Sequence, residues 1–237
     1  MKAMLNKMFD SAMAMNKANI LSLVDSPNNS QCAFLDLGCD DGAWTMEVAK
    51  KIATNDVTGL DIVNERIEKA KANGVNAIKG NLNEPLPFAD EAFHVIHANQ
   101  VIEHVANIDL FVSEVRRVLK PGGYVLISTE NGSSWHNLFA ALMGWQMFSL
   151  TNVSNKLSGI GNPLALHRKE SDFITLSSWT HKTIFNYLGL KELFEVYGFE
   201  KISIKGAGYY PLPAVLGNFD VRHAHFITLK GYKGGLE

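Results

Sequence analysis

Cysteine is almost missing from this sequence, and its two residues, Cys32 and Cys39, cannot build a disulfide framework or a four-thiolate metal site. So sparse a usage suits a reducing compartment. An excess of positive charge is missing too, since 22 Lys plus Arg stand against 24 Asp plus Glu and leave a formal net charge of −2. Without a basic field to hold a phosphate backbone, nucleic acid is not an expected partner. Long apolar runs are also lacking. The most apolar stretch, Leu138 to Phe148, contains Gly144 and Gln146 and falls far short of the roughly 20 residues that span a bilayer. Lys7, Asp10 and Lys17 interrupt the Met- and Ala-rich start, so no signal-peptide core forms there. The expectation is a cytoplasmic protein with no membrane partner, as a monomer or homodimer.

What remains is ordinary globular material: 237 residues, 46% hydrophobic and 19% charged, a length that fits one α/β domain. Met4, Leu5, Met8, Phe9, Ala12 and Met15 recur at helical spacing, and a turn cluster at Ser26–Ser30 ends this leading helix. A rhythm then begins. Short apolar runs at Cys32–Leu37, Val57–Asp61, Val75–Ile78, Phe93–His97 and Tyr124–Thr129 alternate with helical stretches at Trp44–Ile52, Glu65–Ala72 and Leu110–Leu119. Such alternation predicts a parallel sheet covered on both faces. After Thr129 the rhythm stops, and a helix over Trp135–Phe148 opens an insertion from Asn131 to Thr180 that holds Trp145, Phe173 and Trp179. The pattern resumes with a helix over Ile184–Tyr197 capped at Gly198, a strand over Phe199–Lys205 and a last strand over His223–Lys230.

In an open parallel sheet, ligands sit beyond the carboxyl ends of the strands where strand order reverses. The first run ends in Asp36-Leu37-Gly38-Cys39-Asp40-Asp41-Gly42, a glycine turn into a helix. A dinucleotide fingerprint wants glycine where Asp40 stands, and three carboxylates beside the loop repel phosphate. A cationic ligand without phosphates fits better; a tight turn with solvated acids is the plainer reading. Asp61, ending the second run, can accept both hydroxyls of a ribose, or it can serve as a helix cap. Asn81, beyond the third run, can bond an adenine edge or simply close an Asx turn.

Taken together, a cation-tolerant loop, a ribose-binding acid and an adenine-sized slot on consecutive strand ends resemble the class I S-adenosylmethionine-dependent methyltransferases, in particular the type 11-like group. Besides the Asp36–Gly42 loop, the matching pieces are Gly59–Ile62, Gly80–Leu82 with Leu86–Phe88, Ala98–His104, Leu119–Gly123 and Gly198-Phe199. The resemblance implies a single Rossmann-like domain. Its seven-stranded sheet is mostly parallel with an antiparallel last strand, helices lie on both faces, and an inserted helical cap spans 131–180. Residues 1–30 then form an N-terminal helical cap, 31–130 the cofactor core and 181–237 the completion of the sheet. It also implies that Asp36 contacts the methionine amino group while Gly38, Cys39, Asp40 and Gly42 lie against the methionine. Asp61 and Ile62 hold the ribose, Asn81 and Leu82 the adenine, with Ala98 and Asn99 beside them. Glycine at position 40 and aspartate at position 81 are the commoner choices in such enzymes.

A sulfonium methyl is already activated, so alignment with the acceptor supplies much of the acceleration. His104, after Glu103, is the expected base, although a capping or packing histidine fits the pattern equally. Trp135, His136, His181 and Tyr209 are the expected acceptor contacts, with His167 nearby and ordinary packing as the alternative for each. The eight histidines show no metal-ligand spacing, and no metal is expected. Neither an Asn-Pro-Pro-aromatic motif nor a Pro-Cys nucleophile follows the fourth run. The predicted activity is methyl transfer to a small, partly apolar acceptor. Rival readings are a cofactor-binding regulatory protein without turnover and a nicotinamide-dependent oxidoreductase, which the acidic loop disfavours.

Overall fold

The apolar runs become strands of one sheet: β1 (Phe34–Leu37), β2 (Val57–Asp61), β3 (Asn76–Lys79), β4 (Phe93–Asn99), β5 (Leu119–Glu130), β6 (Phe199–Ala207) and β7 (Phe226–Lys233). The computed structural model describes residues 2–25, 32–166 and 179–235. The strand order is β3-β2-β1-β4-β5-β7-β6. β1 to β5 pair in parallel, while β7 runs antiparallel to both β5 and β6. Strand order therefore reverses between β1 and β4, and the loops following these two strands flank the crevice.

Side chains alternate across the sheet because successive Cβ atoms point to opposite faces. From β1, Leu35 and Leu37 enter a core with Phe111 and Val115 of α4 (Ile108–Val118) and Leu190 and Phe194 of α6 (Tyr187–Val196). Phe34 enters the other core. It meets Ile20 of α1 (Lys2–Leu23), Val48 and Ile52 of α2 (Ala43–Ile52) and Ile67 of α3 (Asn64–Ala72). Burying each such side chain stabilises the fold by about 1.5–3 kcal/mol. Both faces being covered explains why the runs read as continuous apolar stretches.

Several element boundaries differ from expectation for local reasons. The inserted helix α5 spans only Trp135–Leu142, because Gly144 turns left-handed at φ 71°. α6 begins at Tyr187 rather than Ile184, since Phe185 is taken up in a parallel bridge with Asn131. β7 begins at Phe226, as Val221–His223 forms a 3₁₀ turn; His223 and His225 thus precede the strand instead of alternating along it. Gly198 does end α6, with φ 75° and its N–H bonded to the Glu195 carbonyl at 2.9 Å. Ser26–Ser30, His167 and Phe173 lie outside the described residues.

α1 is stitched to the sheet by a buried polar side chain. Asn16 donates from Nδ2 to Asn99 Oδ1 at 3.0 Å, and its Oδ1 accepts from Ser128 at 2.9 Å and Thr228 at 2.8 Å. One amide thus bonds β4, β5 and β7. Among the described residues, no helix is long and apolar enough to cross a membrane.

Candidate functional site

The loop from β1 to α2 holds three left-handed residues, Gly38 (φ 75°), Asp40 (φ 48°) and Gly42 (φ 79°). A Cβ on Gly42 would sit 2.9 Å from the Ala70 backbone, so only glycine lets the loop close onto α3. Asp40 tolerates its conformation because a short polar side chain visits this region. Its carboxylate turns outward to Arg66 Nε at 3.1 Å and does not crowd the loop. The Asp40 N–H instead donates to Asp61 Oδ2 at 3.1 Å, while Asp61 Oδ1 accepts from the Val63 N–H at 2.8 Å. Asp61 ties two strand ends together and keeps about half of its lone pairs free.

Asp36 is almost fully buried. It accepts the Thr45 hydroxyl at 2.5 Å and faces His97 Nδ1 at 2.7 Å, so that nitrogen carries the hydrogen. His97 Nε2 and Trp44 Nε1 are buried without partners. His97 escaped sequence reasoning; its signal was the β1–β4 register, which sets Asp36 beside His97. Asn81 closes an Asx turn, accepting the Asn83 N–H at 3.1 Å and donating to Glu84 at 2.9 Å. Leu82 packs half-buried on the core, Ala98 is buried, and Ile62 is exposed at the rim. Asn99 is engaged by Asn16. Burial, reinforced by Asp36 and Asp61, pushes the Cys39 thiol up to about 12, which leaves it unreactive.

The expected acceptor residues fall into three places. In the first, His104 donates from Nδ1 to the Thr180 carbonyl at 3.1 Å, and His181 donates likewise to the Ser149 carbonyl at 2.5 Å. Their rings meet edge to face at 4.8 Å. Burial, with His181 nearby, lowers His104 to about 4. Burial raises Glu103 to about 8; its Oε2 accepts from Thr129 at 3.0 Å and its Oε1 has no partner. In the second, His136 lies half-buried against Phe148, Tyr210 and His225, and loss of solvent there takes it down to about 3. His225, which the sequence reading took as structural, pairs with the Tyr210 hydroxyl at 2.9 Å and stands 4.0 Å from Glu130. In the third, Trp135 points outward, donating to the Tyr209 hydroxyl at 2.8 Å and stacking on His223 at 4.4 Å. Trp135 and His136 are neighbours on α5, and successive helical positions point in different directions.

The sequence and the fold have counterparts among known proteins. A family model described as a methyltransferase domain matches residues 28–182. The chain belongs to this methyltransferase family. Among curated relatives, a malonyl-[acyl-carrier protein] O-methyltransferase of Erwinia billingiae is 33% identical over 123 residues, covering 52% of this chain and 47% of that protein. A ubiquinone biosynthesis O-methyltransferase of Brucella melitensis is 35% identical over 103 residues, 41% of each chain. The methyltransferase match thus takes in less than half the length of either relative. A solved methyltransferase of Thermotoga maritima shares the fold at a TM-score of 0.61 with 17% identity, covering 97% of this chain and 94% of that one.

Proposed function

We propose that this methyltransferase moves a methyl group from S-adenosylmethionine to an oxygen of a small, partly apolar acceptor. The observation that carries the reading is Asp61. It is buried at a strand end, its two oxygens each take one backbone N–H, and free lone pairs remain. That donor set fits a ribose. Asp36 contributes buried negative charge on the same side of the crevice, which favours a positively charged ligand. When bound, S-adenosylmethionine supplies a methyl already activated on a cationic sulfur.

The chain's own residues then have to bind, orient and exclude water. Gly38 and Gly42 let the loop backbone come close to the ligand, and Asp61 accepts the ribose hydroxyls. Asn81 must exchange its turn bonds for an adenine edge, so it is a weaker contact than Asp61. His104, uncharged near neutral pH, keeps its Nε2 lone pair for the acceptor's O–H and orients that oxygen toward the methyl. With so lowered a basicity it aligns the acceptor more than it removes the proton. Support for oxygen as the accepting atom comes from the two O-methyltransferase relatives.

The test is calorimetric titration with S-adenosylhomocysteine. Asp61→Ala should weaken its binding by about 1–3 kcal/mol through unpaired ribose hydroxyls; unchanged affinity removes the assigned role. Labelled-methyl incorporation over a panel of phenols, alcohols and acids separates turnover from a regulatory protein that merely binds the cofactor.

A further inference from the structure

Glu103, His104 and His181 reach one another from the turn after β4 and from the far end of the inserted segment. Both imidazoles are fixed by backbone carbonyls, Thr180 for His104 at 3.1 Å and Ser149 for His181 at 2.5 Å. A carbonyl oxygen can only accept, so each Nδ1 carries the hydrogen and each Nε2 presents a lone pair. Metal-binding histidines recurrently have this second anchor, which sets both tautomer and ring orientation. Glu103 is only 2% exposed, and its Oε1 has no hydrogen-bond partner. A buried oxygen left so is costly unless a ligand satisfies it. One ligand atom from each of the three residues lies within 4.8 Å of the others. A tetrahedral site needs separations of roughly 3.4 Å, a contraction that side-chain rotation can supply.

We propose that Glu103, His104 and His181 bind one divalent transition-metal ion of the zinc or cobalt type, leaving a coordination position open. Two imidazoles with one carboxylate select such an ion over magnesium or calcium, which prefer oxygen alone. Three protein ligands are the number that leaves room for an outside oxygen. The use of that position, in which the ion takes the His104 Nε2 lone pair and itself holds the acceptor's oxygen next to the methyl in place of the direct His104 contact, rests on the methyl-transfer reading above; the metal site itself does not. The turn backbone supports the arrangement, since the Lys182 and Thr183 N–H groups both bond the Glu103 carbonyl, at 2.7 and 3.2 Å. This clamps the His181 segment onto the turn that carries Glu103 and His104.

The experiment uses the full chain without an affinity tag, stripped of metal with a chelator and titrated with Co²⁺ while its visible spectrum is recorded. The expected result is one ion per chain with the intense bands of four- or five-coordinate cobalt. His181→Ala and Glu103→Gln should each weaken the titration at least about tenfold. His94→Gln should leave it unchanged, as His94 accepts the Ala33 N–H beside the amino-terminal start of β4. A spectrum that stays that of hydrated cobalt, or equal binding by wild type and both ligand variants, overturns the proposal. S-adenosylhomocysteine binding by the same samples reports that each variant is folded. Its failure in the wild type would sink the methyl-transfer reading while leaving the metal result to stand by itself.

Discussion

The two sides of the crevice solve opposite electrostatic problems. On the β1–β2 side, Asp36 and Asp61 are buried among hydrogen-bond donors supplied by Thr45, His97 and two backbone amides. On the β4–β5–β7 side, burial disarms three ionisable groups: Glu103 rises to about 8, while His104 and His136 fall to about 4 and 3. Near neutral pH these groups are largely uncharged. One side thus presents hydrogen-bonded carboxylates, and the other uncharged groups and aromatic edges. The difference lies in donors: Asp36 and Asp61 each meet two, whereas Glu103 Oε1 meets none.

The contrast can be broken most forcefully at Glu103. Between its ordinary value of 4.5 and about 8, the folded protein keeps a proton that the unfolded chain releases. Wild-type stability therefore falls as pH rises through that window. Glu103→Gln removes this loss, so urea unfolding should show the variant gaining about 3 kcal/mol on wild type between pH 5 and pH 8. Parallel pH profiles would mean that Glu103 is charged after all, and the two sides alike. Next in size is Asp36→Ala, which strands Thr45 and His97 in the interior. A loss of about 2–3 kcal/mol at pH 7 is expected from the same measurement, and an unchanged midpoint would deny Asp36 its structural part. The smallest effect belongs to Arg66→Ala. Its partner Asp40 is 66% exposed, so stability should move by no more than about 0.5 kcal/mol. Binding of S-adenosylhomocysteine should stay level; a tenfold loss would show that the loop needs this ion pair to keep Asp40 out of the way.

Legibility followed the same divide. Asp36, Gly38, Gly42 and Asp61 lie in short consecutive segments, each an apolar run followed by its turn, and local pattern was enough to set them at one edge. The sheet was readable for the same reason, because strands buried on both faces leave uninterrupted apolar runs. The outward turn of the Asp40 side chain was not legible, since nothing local announces that Arg66 draws it. The histidines resisted. His104 and His181 are 77 positions apart by number yet share an edge-to-face contact, and no spacing rule spans an insertion of irregular path. His97 and His225 gave no local signal of a role, because the partners that matter, Asp36 and Tyr210, come from other segments. Asn16 gave no sign at all. A polar residue on an amphipathic helix reads as solvent-facing until three strands are seen to converge on it.

The placement of β7 between β5 and β6 sets a timetable for assembly. β6 is made first but has no neighbour to pair with until Phe226–Lys233 arrives to fill the gap. Asn16 waits longer still, for a hydroxyl on Thr228 that lies 212 residues further on. While the chain emerges from a ribosome, its opening helix still lacks β6 and β7, the strands it packs on most. Such distant pairings slow folding, and they leave the leading helix and the β6 edge as the surfaces a chaperone would meet first.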